Sequence, residues 1–346
     1  MKKLYLYIIF WGVFATHSYS QLIITPDTNT QTLVSNFILS GVTATNINYT
    51  GAGNTLGSFT NGNSTNIGIP DGIIMTTGSL AIPPFIGSPV SDFASYSNAG
   101  AGDSTLDNII PGFMTYEASI LEFDLVPAGN MLEFQYVFAS EEYPEFVGST
   151  FNDVFGFFIN GANPSGGNYN DFNIALIPGA SIPVAINNVN STLNQSYFVD
   201  NLGSNGQSIV FDGFTTVLLA QVNVIPFNTY HLKMTVADAG DGIYDSGIFL
   251  KAQSMKSYMT SGINDHDNEN RSIYPNPCID NLNINLSSEE IEGSKISIID
   301  LQGRIIISRE ISENNTIINI SELPSGIYFV KFENLKKTEF LRIVKR

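Results

Sequence analysis

Cysteine, tryptophan, histidine and basic side chains are all scarce in this chain of 346 residues. The single cysteine, Cys278, excludes an intrachain disulfide, a four-cysteine zinc site and dithiol redox chemistry. The one tryptophan is Trp11, and the three histidines are His17, His231 and His266. No lysine or arginine occurs between Lys3 and Lys233. With a formal charge of -17, such a surface repels polyphosphate, so nucleic acid is excluded as a partner. No apolar run is long enough to span a bilayer.

Hydrophobic residues make up 43% of the chain and charged residues only 14%, a composition that buries sizeable cores and predicts about two domains. Residues 1–20 read as a signal peptide. Lys2 and Lys3 precede an apolar stretch from Leu4 to Ala15, and Ser18-Tyr19-Ser20 offers a small-x-small cleavage site. Gln21 follows the cut where a lipoprotein would need cysteine, so the expectation is plain export. Trp11 and His17 would leave with that segment.

Charge divides the remainder. Residues 21–260 hold 19 acidic and 3 basic side chains, whereas 271–346 hold 10 of each. Between them, residues 261–270 are polar and acidic with one aliphatic residue, and read as a linker. In the first unit, apolar stretches alternate with Gly and Pro turns. Alternation is clearest at Leu121–Leu125, Leu132–Tyr136 and Tyr230–Met234. Further strands are expected at Ile73–Thr77, Val154–Ile159, Asn173–Ile177, Thr215–Val224 and Gly247–Met255, with short helices at Thr32–Leu39 and Ser104–Ile110. The segment 41–66, rich in Gly, Asn, Ser and Thr, carries no strand expectation. The second unit predicts six strands between Asn281 and Val344, with turns at Gln302-Gly303 and Pro324-Ser325-Gly326. The fold class is all-β: a large N-terminal β-sandwich followed by a small Ig-like C-terminal β-sandwich.

The second unit carries a resemblance. Tyr274-Pro275-Asn276-Pro277, Leu282-Asn283-Ile284, Ile299-Asp300-Leu301-Gln302-Gly303, Leu323-Pro324-Ser325-Gly326-Ile327-Tyr328-Phe329-Val330 and the basic end Lys345-Arg346 stand in order. The unit is similar to the type A C-terminal sorting domain of type IX secretion cargo from the Bacteroidetes. That resemblance implies an export address, partnership with the type IX secretion machinery, and a protein that is secreted or held at the outer cell surface.

The first unit resembles another family at Phe138-Ala139-Ser140-Glu141-Glu142-Tyr143-Pro144-Glu145-Phe146-Val147 and Phe151-Asn152-Asp153-Val154-Phe155-Gly156-Phe157-Phe158. Gly68–Gly78 and Val236–Leu250 support the likeness. It is similar to the choice-of-anchor L domain, a family of surface proteins that brings no settled activity with it.

Residue chemistry must therefore suggest the function. Glu141, Glu142, Glu145 and Asp153 cluster after one strand, and Asp238, Asp241 and Asp245 fall in a Gly-rich loop between two others. They have no cationic neighbours in sequence. Oxygen ligands of this kind on loops suit Ca²⁺, although their spacing is not that of an EF-hand. The competing expectation is a solvated acidic rim that keeps the domain soluble.

Enzymatic readings lack parts. His231 lies within an alternating strand, as a half-buried packing residue does, and no hydrolase elbow accompanies it. Glu141 and Glu142 point to opposite faces of an extended chain and do not form a glycosidase pair, leaving Glu142 with Asp241 as the carbohydrate-cleaving alternative. Gly51, Gly53 and Gly57 lack nucleotide-loop spacing. Tyr96, Tyr116, Tyr143, Tyr169, Tyr197 and Tyr244 are the aromatic side chains available for stacking on a glycan. The sequence thus reads as a non-enzymatic adhesion or matrix-binding protein, with an extracellular carbohydrate-binding or carbohydrate-cleaving protein as the alternative and a structural spacer as a third reading.

Overall fold

The computed structural model describes residues 22–81, 95–202, 209–260, 272–286, 291, 293–333 and 338–346. The expected signal peptide, residues 1–20, and the expected linker, residues 261–270, lie outside the described residues.

In chain order the first unit runs β1 (Ile23–Pro26), α1 (Thr30–Phe37), β2 (Ile38–Ser40), β3 (Val42–Thr50), β4 (Leu56–Thr60), β5 (Gly72–Thr76) and α2 (Ser104–Ile109). It continues through β6 (Thr115–Pro127), β7 (Met131–Ser140), β8 (Val154–Ala162), β9 (Asn168–Asn173), β10 (Phe198–Asp200) and β11 (Gly213–Thr215). Four strands complete it: β12 (Leu218–Asn223), β13 (Tyr230–Ala239), β14 (Ser246–Lys251) and β15 (Met255–Tyr258). Among the described residues these form two sheets. The larger has the order β1-β4-β5-β14-β7-β11-β10, with β12, β15 and β2 continuing from β7. The smaller is β3-β6-β13-β8-β9.

Period-two alternation turns one side chain in two toward the space between the sheets. There Leu121, Phe123 and Leu125 from β6, Phe134, Tyr136 and Phe138 from β7, Phe155, Phe157 and Ile159 from β8, and Leu232, Met234 and Val236 from β13 form the main core. Phe157 sits edge-on to Phe134 at 5.0 Å and to Tyr136 at 4.9 Å. The larger sheet is also covered on its far face, where Phe59, Phe211, Phe214 and Phe249 make a second core. That double burial is why Ile73–Met75 and Ile248–Leu250 read as unbroken apolar runs.

The two helices form because each has a cap. Asn29 accepts the Thr32 N–H, and α1 then buries Leu33, Val34 and Phe37 against the main core. Asp103 accepts the N–H groups of Thr105 and Leu106, and α2 buries Leu106 on the outer face of the smaller sheet.

Four of the sequence readings are corrected. The predicted strand at Asn173–Ile177 lies instead at Asn168–Asn173, because the Asn173 side chain takes the Phe157 and Ala175 N–H groups and turns the chain out of the ladder. Thr215–Val224 is two strands, β11 and β12, and Gly247–Met255 divides between β14 and β15. Finally, 41–66 contains β3 and β4 rather than loop alone. β3 is an edge strand whose burial alternates between partial and exposed, so polar residues suffice along it.

The second unit contains β16 (Ser272–Tyr274), β17 (Asn281–Asn285), β18 (Lys295–Ile299), β19 (Ile305–Glu310), β20 (Asn315–Asn319), β21 (Gly326–Glu333) and β22 (Thr338–Lys345). A three-stranded sheet, β16-β17-β20, and a four-stranded sheet, β19-β18-β21-β22, enclose Leu282, Ile284, Ile296, Ile298, Val330 and Ile343.

Candidate functional site

The same alternation that builds the core also builds the site, because it continues past the last apolar residue at one end of the inter-sheet space. Counting back from Leu121 along β6 gives Ser119 and then Glu117. Counting forward from Phe138 along β7 gives Ser140 and then Glu142. Strand β13 runs Met234, Val236, Asp238, with a register shift between the last two, and Ile248 on β14 is preceded by Ser246. Polar side chains from both sheets therefore face one another where the apolar core ends.

Six carboxylates meet there: Glu117, Glu142, Asp153, Asp238, Asp241 and Asp245. Asp238 and Glu142 are each 1% exposed and Glu117 is 3% exposed. Asp153 is buried and well partnered. Its Oδ1 accepts the Ala239 N–H at 2.9 Å and its Oδ2 accepts the Ser246 hydroxyl at 2.6 Å. Asp245 accepts the Tyr96 N–H at 3.1 and 3.2 Å, and a Cβ on Gly78 would collide with its carboxylate. Glu117 Oε1 accepts the Ser97 hydroxyl at 2.6 Å and the Ala99 N–H at 2.8 Å. Glu117 has φ 55, a left-handed conformation unusual for a side chain of this size. Asp241 lies at the mouth, half-buried, accepting the Ile243 N–H at 3.1 Å.

Several oxygens in this pocket have no hydrogen bond: Glu117 Oε2, Glu142 Oε2 and both oxygens of Asp238. Thr77 approaches Asp238 closely enough to ease its charge slightly, but not in hydrogen-bond geometry. Burial raises the pKa of every one of these groups for which a shift is resolved, and neighbouring carboxylates raise it further. Glu142 is pushed up to about 9, by burial first and then by the charges of Asp153 and Asp241. Asp245 is raised to about 7 by burial and by Glu117. Asp238 and Asp153 are raised by burial against their neighbours' charge.

The outer face of the smaller sheet treats charge differently. Lys233 Nζ lies 2.5 Å from Asp103 Oδ2 and 3.0 Å from the Thr105 hydroxyl. His231, 43% exposed, places Nδ1 2.9 Å from Asp124 and Nε2 3.5 Å from Glu122. Its partners are carboxylates, not the hydroxyl of a nucleophile.

The acidic residues singled out in the sequence thus separate. Glu142, Asp153, Asp238 and Asp245 converge, and Asp241 borders them. Glu141 is buried, with its N–H bonded to the Asp245 carbonyl at 3.1 Å, and Glu145 is exposed in the turn beyond. A solvated rim does not describe the converging groups, which the two sheets remove from water. Sequence reading missed Glu117, although alternation from Leu121 marks its face. As placed, no three His, Cys, Asp or Glu side chains among the described residues are positioned to hold a metal ion together.

Aromatic side chains surround the mouth. Tyr244 packs on Phe146 at 5.5 Å, and Phe146 on Phe151 at 5.2 Å. Tyr96, 41% exposed, and Tyr244 both border Asp245. Tyr143 is fully buried, with its hydroxyl bonded to the Val189 carbonyl at 2.6 Å, so it forms no stacking platform.

The pocket is built by Phe138–Asp153 and Val236–Leu250, and a profile of the choice-of-anchor L domain matches residues 23–256 around them. The chain belongs to the choice-of-anchor L domain family. A second profile, of the secretion system C-terminal sorting domain, matches residues 272–346. This choice-of-anchor L protein is therefore type IX cargo, interacts with that secretion machinery, and is secreted or displayed at the outer cell surface. No curated protein matches the sequence. Solved structures similar to it include β-glucuronidase from Ruminococcus gnavus in complex with uronic isofagomine, at 8% identity, 66% of this chain, 35% of that chain and TM-score 0.18. The apo form of that enzyme gives 7%, 66%, 36% and 0.19. The match spans about a third of the enzyme's length, and so loose a superposition bears on neither fold nor activity.

In the sorting domain, the signal residues join the chain's end. Asn276 donates to the Arg342 carbonyl and accepts the Val344 N–H, both at 2.9 Å, and Cys278 exchanges backbone hydrogen bonds with Val344 and Arg346. Tyr274 is exposed at the end of β16, Pro275 and Pro277 flank Asn276, and Gly326 pairs with Lys345. Gly303 takes φ 78 in the turn that Asp300 caps by accepting the Gln302 and Arg304 N–H groups. No helix among the described residues is long and apolar enough to cross a membrane.

Proposed function

We propose that this protein is a non-enzymatic adhesion protein, which contacts an extracellular matrix or neighbouring-cell partner through the loops around the acidic pocket. Residues 1–20 serve as its signal peptide for the inner membrane, and the sorting domain then directs outer-membrane export. The observation that supports this reading is the division of labour at the pocket. The carboxylates turn inward, whereas Tyr96, Ile243, Phe146 and Tyr244 form the outer rim. Aromatic side chains bring large contact area at low conformational cost, which suits recognition.

Chemistry in the pocket lacks a partner for the acids. Among the described residues no histidine supplies one. His231 lies on the outer sheet face between Asp124 and Glu122, and His266 lies outside the described residues. The test combines a glycan and matrix-protein array with a reducing-sugar assay on the full chain. Binding that weakens at least about tenfold in Tyr96→Ala and Ile243→Ala, without turnover, supports adhesion. Turnover that disappears in Glu142→Gln overturns it in favour of carbohydrate cleavage.

A further inference from the structure

We propose that the pocket between the sheets is a Ca²⁺ site, held by Glu117 and Asp238 from the smaller sheet, Glu142 and Asp245 at the ends of the larger one, and Asp153, with Asp241 at its mouth. The assignment does not depend on the adhesion reading.

The carboxylate cluster alone would not carry it. The second observation is the orphaned oxygens: both from Asp238, one from Glu142 and one from Glu117, on side chains removed from water and without a hydrogen-bond donor. A buried carboxylate without a donor or a cation costs several kcal/mol in general, and proteins keep such groups where something compensates them. Among the described residues, no lysine or arginine lies within hydrogen-bonding or ion-pairing distance of these carboxylates. Lys233, the basic residue nearest in sequence to Asp238, points to the opposite face of β13 and is engaged by Asp103. Compensation therefore comes from bound protons or from a cation out of solution, and a cation is what several oxygens can share.

The donor chemistry selects its type. All available ligands are hard oxygens, with no imidazole or thiolate beside them, which disfavours zinc and copper. The residues come from the ends of five strands and one loop, an irregular set that suits the six to eight oxygens and variable geometry of Ca²⁺ better than the strict octahedron of Mg²⁺. The supporting shell is already present. Ser246 and the Ala239 N–H orient Asp153, the Tyr96 N–H orients Asp245, and Ser97 and the Ala99 N–H fix one oxygen of Glu117 so that the other is left for the ion. Ligation needs inward rotation of side chains that now repel one another.

Residue choice makes the proposal discriminating. Glu145 stands among the same acidic residues in sequence but is exposed outside the pocket. The full chain, stripped of cations with EDTA and exchanged into 0.15 M KCl at about pH 7.5, is titrated with CaCl₂ by equilibrium dialysis, and its thermal unfolding is followed with and without about 1 mM Ca²⁺. Bound calcium of at least one ion per chain is expected, with the N-terminal transition raised by about 5 °C. Asp238→Asn and Glu117→Gln should weaken binding at least about tenfold and remove the thermal shift, while Glu145→Gln leaves both unchanged. If Asp238→Asn does not fold, Glu142→Gln at the pocket's edge takes its place. Absence of bound calcium and of any shift at about 1 mM overturns the proposal. So does a calcium response that survives Asp238→Asn and disappears in Glu145→Gln.

Discussion

The two ends of the space between the sheets share the same strands and hold opposite chemistry. Toward one end, β7 and β8 fill it with Phe134, Tyr136 and Phe157 at ring separations near 5 Å. Toward the other, the continuations of β6, β7 and β13 fill it with Glu117, Glu142 and Asp238. The same strands run through both ends, with one register shift in β13 between Val236 and Asp238, and Glu117, Glu142 and Asp238 are nearly as fully buried as the rings. The dry apolar end stabilises by area removed from water and by close packing. The acidic end opposes folding unless protons or a cation neutralise it. The first should respond to volume, the second to solution conditions.

The largest expected effect comes from breaking the apolar end. Phe157→Ala removes a fully buried ring that touches three others, and should destabilise the N-terminal unit by about 4 kcal/mol in urea unfolding. Changing pH over the range where carboxyls titrate should leave that loss nearly unaltered.

The acidic end is sharpened by pH. A carboxyl whose folded pKa is raised holds its proton longer in the folded state, so it favours folding at low pH and loses that advantage as pH rises. For Asp245 the loss runs from about 4 to about 7, and for Glu142 it continues to about 9. In cation-free buffer Asp245 alone should cost the N-terminal unit on the order of 3 kcal/mol between pH 5 and pH 7, with a further loss from Glu142 toward pH 9. Asp124 acts in the opposite sense. Hydrogen bonds from Asn46 and His231 hold its pKa below the ordinary value, so its contribution is present above about pH 4 and lost as pH falls further. Denaturant midpoints across pH 3–9 check both limbs. A flat alkaline limb without cations would mean that the pocket carboxylates are not desolvated.

Much of this contrast was legible in the sequence. Period-two alternation marks β6, β7 and β13, because each buries one face and wets the other. The scarcity of lysine and arginine, three in residues 21–260, marks Glu142, Asp153, Asp238 and Asp245 as acids in a unit with few cations to pair them. What stayed hidden depends on contacts distant along the chain. Glu117 stands among Thr115, Tyr116, Ala118 and Ser119, where the apolar half of the alternation has stopped, so counting back in twos from Leu121 is the one sequence signal for its inward face. The edge strand β3 is concealed for the opposite reason, since polar residues at 42–50 satisfy a strand that buries little. Glu141 and Glu145 share the composition of the pocket residues without sharing their direction.

A smaller effect should follow at the compensated charge of Lys233. Asp103 both caps α2 and pairs with Lys233, so Asp103→Ala leaves the Thr105 and Leu106 N–H groups without their acceptor and Lys233 without its ion partner at once. A destabilisation of about 1–2 kcal/mol is expected, mainly from the cap, while the Thr105 hydroxyl remains beside the ammonium. The sign is the informative part. Removing a carboxylate on the outer face should weaken the fold, whereas neutralising the inner Asp238 as Asn in cation-free buffer at pH 8 should strengthen it.

The smallest effect belongs to His231, on the same strand and the same outer face. Its ring lies between Asp124 and Glu122, but 43% of it is in water, where solvent screens the attraction and the side chains remain free to separate. His231→Ala should therefore change stability by about 0.5 kcal/mol or less, and less still in high salt. Two strand positions apart, Lys233 is sheltered by α2 and His231 is not, so their replacements compare one acidic sheet face with and without a covering helix. Equal losses at the two positions would show that shelter from water does not decide how this face uses its charges, and would remove the reason for expecting the inner pocket to differ from the outer surface.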